Sequence, residues 1–142
     1  MTYTIKQVAE QFNLSIYTLR FYDKAGLLPF VMRNESGYRE FTDSDMNLIH
    51  TICCLKDTGM KISDIKQYID YVMAGTETID ARKHLLSQHR AAVVAKQEQL
   101  EQNLHEIDYK LDIYASPDAV KIIQAEQAYV LAEKTALKAE AK

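Results

Sequence analysis

Between Ser15 and Arg39 the chain gathers the guanidinium groups of Arg20, Arg33 and Arg39, the phenols of Tyr17, Tyr22 and Tyr38, and the hydroxyls of Ser15 and Thr18. Donors of this kind meet anionic oxygens, arginine with two parallel bonds at a time. The stretch "SIYTLRFYDKAGLLPFVMRNESGYREF" therefore asks for a polar, anionic partner. Bulk charge gives no help, because the whole chain carries a net −3. Residues 1 to 41 hold Lys6, Arg20, Lys24, Arg33 and Arg39 against Glu10, Asp23, Glu35 and Glu40, a net of +1. A few placed groups must meet the anion, so the elements that place them decide the chemistry.

A second chemistry resides in "TICCLKDTGMKIS", where Cys53 and Cys54 are adjacent and His50 lies four residues before Cys54. Adjacent cysteines on a helix point apart, so no bridge between them is expected. Two such thiols make no disulfide framework, and a reducing cytosol is the expected compartment. Residues four apart are neighbours on a helix, which sets the His50 imidazole where it would help Cys54 form a reactive thiolate. A position near a helix C-terminus opposes an anion. Cys54 thus reads either as a reactive thiol or as an inert one, whereas Cys53 falls with Met46, Ile49 and Ile52 and reads as core. His84, His89 and His105 are too scattered to argue for a metal and read as helix-surface residues. No cofactor is expected.

The elements that carry these groups are mostly helices. Four glycines and two prolines among 142 residues are too few for an all-β fold, and 47% hydrophobic with 26% charged residues is ordinary for a soluble protein. No run reaches the roughly 18 apolar residues of a membrane span, so a soluble cytoplasmic protein is expected. Thr4 with Gln7 is a capping-box pair opening a helix through Ile5, Val8, Ala9 and Phe12. Asn13-Leu14 interrupts it, and Ser15 caps a second helix over about 16–24, ended by Gly26. Such a pair is a helix-turn-helix unit or an unspecialised helical hairpin. Next, "FVMR" and "YREF" flank the turn residues Asn34 to Gly37, which predicts a two-stranded wing leaning on the helices through Val31, Tyr38 or Phe41.

Thr42 with Asp45 opens a third helix to about Thr58, and Ser63 is expected to cap a fourth from Asp64 to Met73, stopped by Gly75. From Thr78 the pattern lengthens. Leu86, Val93, Leu100, Ile107 and Tyr114 recur every seven residues, interleaved by Arg90, Gln97, Leu104 and Leu111. This coiled-coil stripe spans roughly 43 Å at about 1.5 Å per residue, too long to bury on a small domain, and calls for a partner helix, most simply that of a second copy. Ser116-Pro117 ends it before an Ala/Lys/Glu-rich terminal helix. The expected organisation is a winged helix-turn-helix domain over 1–75, a dimerisation helix over 78–115 and a tail helix over 116–142.

"YTIKQVAEQFNLSIYTLRFYDKAGLL", "NESGYREFTDSD" and "LKDTGMKISDI" together resemble the MerR family of bacterial transcription regulators across about the first 70 residues. The resemblance implies a mainly α, winged helix-turn-helix fold whose long helix pairs antiparallel with its mate. It also implies a homodimer that binds and distorts a palindromic promoter operator, acting on RNA polymerase through the DNA. Carried onto this chain, Ser15, Tyr17, Thr18 and Arg20 lie near the major groove, with Leu19 in the core. Tyr22 and Arg39 meet phosphates, and Arg33, Gly37 and Tyr38 set the wing against the backbone or minor groove. Many members have a second tyrosine where this chain has Phe21, so Phe21 either leaves a phosphate bond unmade or packs inward. Leu86, Val93, Leu100, Leu104, Ile107, Leu111 and Tyr114 would form the dimer contact.

Metal-sensing members carry cysteines near the dimerisation helix and the C-terminus, and this chain has none after Cys54. Drug-sensing members append a large domain, for which 142 residues leave no room. The position of Cys54, five residues before Gly59, is similar to that in the subgroup answering aldehydes, electrophiles and nitrosative stress. That makes Cys54, with His50, the expected sensor; the alternative is a non-covalent ligand or none. A thiol enzyme is disfavoured, since no phosphate loop, Cys-x-x-Cys or α/β pattern is present. A coiled-coil module gripping another protein is the remaining class.

Overall fold

The computed structural model describes residues 1–141. Its elements run β1 (Thr2–Tyr3), α1 (Ile5–Gln11), α2 (Ile16–Lys24), β2 (Met32–Arg33), β3 (Arg39–Thr42), α3 (Asp43–Asp57), α4 (Ile62–Ala74), α5 (Ile79–Ala115) and α6 (Ala119–Glu140). The fold is mainly α, a winged helix-turn-helix with a small sheet and one long helix. Two compact units divide after Val94: the head, Met1–Val94, and the remainder from Ala95 onward.

The local signals in the head act as read. Thr4 Oγ1 accepts from the Gln7 amide at 3.2 Å while Gln7 Oε1 accepts from the Thr4 amide at 2.9 Å, a closed capping box. Thr42 and Asp45 repeat the device on α3. Asn13 turns the chain between α1 and α2 at φ 52°, the left-handed region that asparagine tolerates better than most residues. Leu14 N–H then donates to the Ala9 carbonyl at 2.9 Å, closing the break. Val8, Leu19, Leu27, Leu28, Phe41, Ile49, Ile52, Ile65 and Ile69 form the fully buried centre, so every head helix and β3 contributes to one core.

Three expectations about the head need correction. The sheet has three strands in the order β1-β3-β2, because Thr2 and Tyr3 pair with Thr42 and Phe41. A two-residue strand carries no periodic signal, and only the arrival of β3 gives it a partner. The wing strand β2 covers only Met32–Arg33 rather than all of "FVMR", and Tyr38 stands 72% exposed, so Phe41 in the core and half-buried Val31 anchor the ribbon. Finally, α4 starts at Ile62 with Lys61 at its N-cap and no side-chain cap. Ser63 is therefore inside the helix.

α5 begins on the head. Leu85 and Leu86 pack against the head core, so Leu86 is held within the head and is not part of an open stripe. Beyond Val94 the second unit has no buried residue among those described. Leu100, Leu104, Ile107, Leu111 and Tyr114 are 53–62% exposed, and α6 exposes Val120, Tyr129, Leu131 and Leu137. Within that unit α5 ends as read, with a turn at Ser116 whose Oγ accepts from the Asp118 amide at 3.1 Å.

Candidate nucleic-acid interface

α2 is the element that presents side chains outward. Its buried face is Leu19 and Tyr22, and positions three and four apart place Tyr17, Arg20, Phe21 and Lys24 along the opposite face. Ser15, at the N-cap, is occupied locally: its Oγ accepts from the Thr18 amide at 3.0 Å and lies 2.9 Å from Thr18 Oγ1. These two hydroxyls order the start of α2 and remain near the surface, Ser15 exposed and Thr18 half-buried.

The aromatic assignment on α2 is inverted. Tyr22, expected at the surface, is only 5% exposed, and Phe21, for which the sequence left open inward packing or an unmade phosphate bond, is 55% exposed and so does not pack inward. The Tyr22 phenol is held above its usual pKa by burial first, then by Cys53 and Asp57 of α3, which places it toward α3. The two rings lie 6.1 Å apart and tilted. Adjacent residues on a helix cannot share a face, so burying one ring exposes the other.

The wing turn is built to be stiff. Asn34 Oδ1 accepts from the amides of Ser36 and Tyr38, both at 3.1 Å, and the Asn34 amide donates to the Tyr38 carbonyl at 2.8 Å. Gly37 takes φ +85°, a left-handed value that any side chain would strain, with open space around it. Arg33 Nη1 donates to the Gly37 carbonyl at 2.7 Å across the turn. Arg39 Nε donates to Asp23 Oδ2 at 2.8 Å, a part-buried ion pair that fastens β3 to α2. Asp23 was no candidate in the sequence, since its partner lies sixteen residues away and no local spacing signals the pair.

Between α2, β1 and the wing lies a cleft of about 290 Å³ lined by Arg20, Arg33, Tyr38 and Arg39 along with Asn34 and Glu40 and residues Thr2 to Ile5. Three guanidinium groups from three elements thus converge on one concavity against a single facing carboxylate that is not already paired to arginine. Folding produces a local positive surface on an acidic chain.

On α3, Cys54 is exposed and His50 is exposed one turn before it. Cys53 is half-buried against the core, and burial, with Asp57 nearby, pushes its thiol pKa up. His89 is half-buried rather than freely solvated: its Nε2 lies 2.7 Å from Thr58 Oγ1. Another residue that sequence reasoning passed over is Arg82, whose guanidinium donates to the Thr78 hydroxyl and to carbonyls at the end of α4. The spacing of Thr78 and Arg82, one helical turn, was the available signal. Among the described residues no cluster of His, Cys, Asp or Glu could hold a metal ion, and no helix is long and apolar enough to cross a membrane.

A helix-turn-helix packed on the core with one face of α2 outward, a stiff wing and a basic cleft between them define a DNA-binding regulator of the winged helix-turn-helix class. Comparison with known proteins makes this specific. Residues 3–72 match the MerR HTH family regulatory protein model, and residues 47–109 match the model for MerR, DNA binding. An HTH-type transcriptional regulator of Haemophilus influenzae is 41% identical over 125 residues, covering 88% of this chain and 93% of that protein. The HTH-type transcriptional regulator AdhR of Bacillus subtilis is 37% identical over 90 residues, 63% of this chain and 64% of its own length. Among solved structures, HiNmlR, a MerR family regulator lacking the sensor domain and bound to promoter DNA, superposes with a TM-score of 0.79 at 41% identity, over 88% of this chain and 99% of that one. The chain belongs to the MerR family and is a MerR-type DNA-binding transcriptional regulator.

Proposed function

We propose that this regulator binds a palindromic promoter operator as a homodimer and distorts it, with Cys54 receiving an electrophile signal. The observation that carries the DNA reading is the convergence of Arg20, Arg33 and Arg39 on the cleft between α2 and the wing. α2 enters the major groove with Tyr17, Arg20 and Phe21 outward, while Ser15 and Thr18 order its N-terminus near the phosphates. Arg33, Gly37 and Tyr38 carry the wing to the DNA backbone. Arg39 keeps guanidinium donors for phosphate while Asp23 holds its Nε, and Tyr22 supports α2 from beneath. The exposed stripe Leu100, Leu104, Ile107, Leu111 and Tyr114 is the dimer contact, joined by Val93 at its head end.

The experiment is a pair of titrations at fixed salt against the site found by footprinting. Arg20→Ala is expected to weaken binding by about 1–3 kcal/mol and to relax discrimination against random DNA. Lys24→Ala, at the end of α2, changes both affinities little and together. Equal, small losses from the two variants would remove this docking.

Exposure separates the two thiols and supports the sensing role of Cys54. Its sulfur adds to an aldehyde carbonyl: a C–S bond forms, the carbonyl π pair moves to oxygen, and the thiol proton ends on that oxygen as a hemithioacetal. No oxidant is needed. In a promoter reporter, Cys54→Ser is expected to keep basal output and lose the aldehyde response. A full response in that variant returns the thiol to an inert role and favours a non-covalent effector.

A further inference from the structure

α5 is the one helix that leaves the head, and its first turns are held there by two polar attachments on either side of Leu85 and Leu86. At the first, Arg82 Nη2 donates to the carbonyls of Tyr71 at 3.2 Å and Gly75 at 2.8 Å, and Arg82 Nε donates to Thr78 Oγ1 at 3.0 Å. Thr78 Oγ1 itself lies 2.6 and 2.7 Å from the Tyr71 and Gly75 carbonyls, which share its one proton. The carbonyls at a helix end lack intrahelical donors and carry partial negative charge, so one planar cation satisfies several at once. The second attachment lies seven residues on, two turns along the same face. Thr58 Oγ1 donates its single proton to the Cys54 carbonyl at 2.7 Å, and His89 Nε2 sits 2.7 Å from the same oxygen. With the hydroxyl proton directed at the Cys54 carbonyl, the Nε2-protonated tautomer of His89 is the donor to Thr58 Oγ1.

We propose that Arg82 and His89 are positioning residues that make α5 a rigid lever on the head, and so set the geometry a dimer imposes on its operator. This rests on the distorting-dimer reading. A helix joined to α4 only through Gly75 and the 3-10 turn Thr76–Thr78 could pivot about Gly75, since apolar contact at Leu85 and Leu86 is non-directional. Hydrogen bonds at both ends of an apolar contact remove the pivot. The Thr58 link also ties the far attachment to the backbone of Cys54, on the helix that carries the exposed thiol.

The test places a fluorescent base analogue at the centre of the footprinted operator and reads its unstacking at saturating full-length protein, where affinity drops out. Arg82→Met and His89→Leu are expected to stay dimeric by sedimentation and to reduce the distorted population relative to undistorted complex by about 2- to 30-fold. His89→Gln, which returns an N–H near the Nε2 position, is expected to restore the signal, whereas Arg82→Lys, which keeps charge but loses the planar fork, is not. Should Arg82→Met fail to fold, the His89→Leu and His89→Gln pair decides alone. Variants that unstack the operator as well as the parent overturn the lever; a parent protein that unstacks nothing overturns the distorting-dimer reading and the lever with it.

Discussion

The head and the helical unit beyond Val94 are built from similar fractions of apolar residue but use it oppositely. In the head, fourteen hydrophobic side chains are buried in one cluster drawn from α1, α2, β3, α3, α4 and the intervening turns. In the second unit none is buried among the described residues, and large side chains such as Leu100, Tyr109 and Leu131 face outward. Short helices that cross can enclose a core within one chain, whereas a long helix leaves its stripe open along most of its length. The head is therefore a self-contained binding surface. Beyond it the described residues leave an apolar stripe open, the stripe proposed above as the dimer contact.

The strongest way to break this contrast is to attack the open stripe. Leu100→Asp with Ile107→Asp removes two side chains each worth about 1.5–3 kcal/mol when fully buried, and is expected to yield a monomer in sedimentation with operator binding lost. The isolated head should keep its melting transition. A folded monomer that still binds operator at parental strength would show that the stripe is not the dimer contact. The converse attack is Phe41→Ala, which empties the centre of the head where β3 meets the helices. It should cost about 3–5 kcal/mol of head stability, read by chemical denaturation, with little change in the helical content of the distal unit.

A smaller effect sharpens the same boundary through pH. Burial is the first cause raising both the Cys53 thiol above 9.0 and the Tyr22 phenol above 10.0. The folded head thus keeps protons that the unfolded chain releases first. Their contribution is complete below the ordinary thiol value and fades as pH rises through the raised folded values. Thermal melts from about pH 8 to about pH 10.5 should show a falling head transition, with a shallower slope in Cys53→Ser and Tyr22→Phe. An unchanged slope in both variants would place the alkaline loss elsewhere.

Most of the head's local structure was legible because short-range rules govern it. Thr4-Gln7 and Thr42-Asp45 announce their caps within four residues, Ser15 caps α2, and Asn34 to Gly37 can do little but turn. The α5 stripe was equally legible in its sevenfold spacing. Ser63 misled because its type suits a cap, while the chain enters α4 two residues earlier, with Lys61 at the N-cap.

The sequence by itself determined the order of the helices and the place of the wing turn, the family, and the inventory of polar donors, since caps, turns and apolar periodicity act over a few residues. Only the tertiary structure decided that Tyr22 rather than Phe21 is buried, that Arg39 is paired with Asp23, that Leu86 serves the head, and that Thr2 and Tyr3 find a strand to join. It alone brought Arg82 and His89 onto the carbonyls and hydroxyl that fasten α5. Each of these depends on which distant segment arrives beside a given face, and pairing across the fold is set by the packing of the whole core rather than by any spacing along the chain.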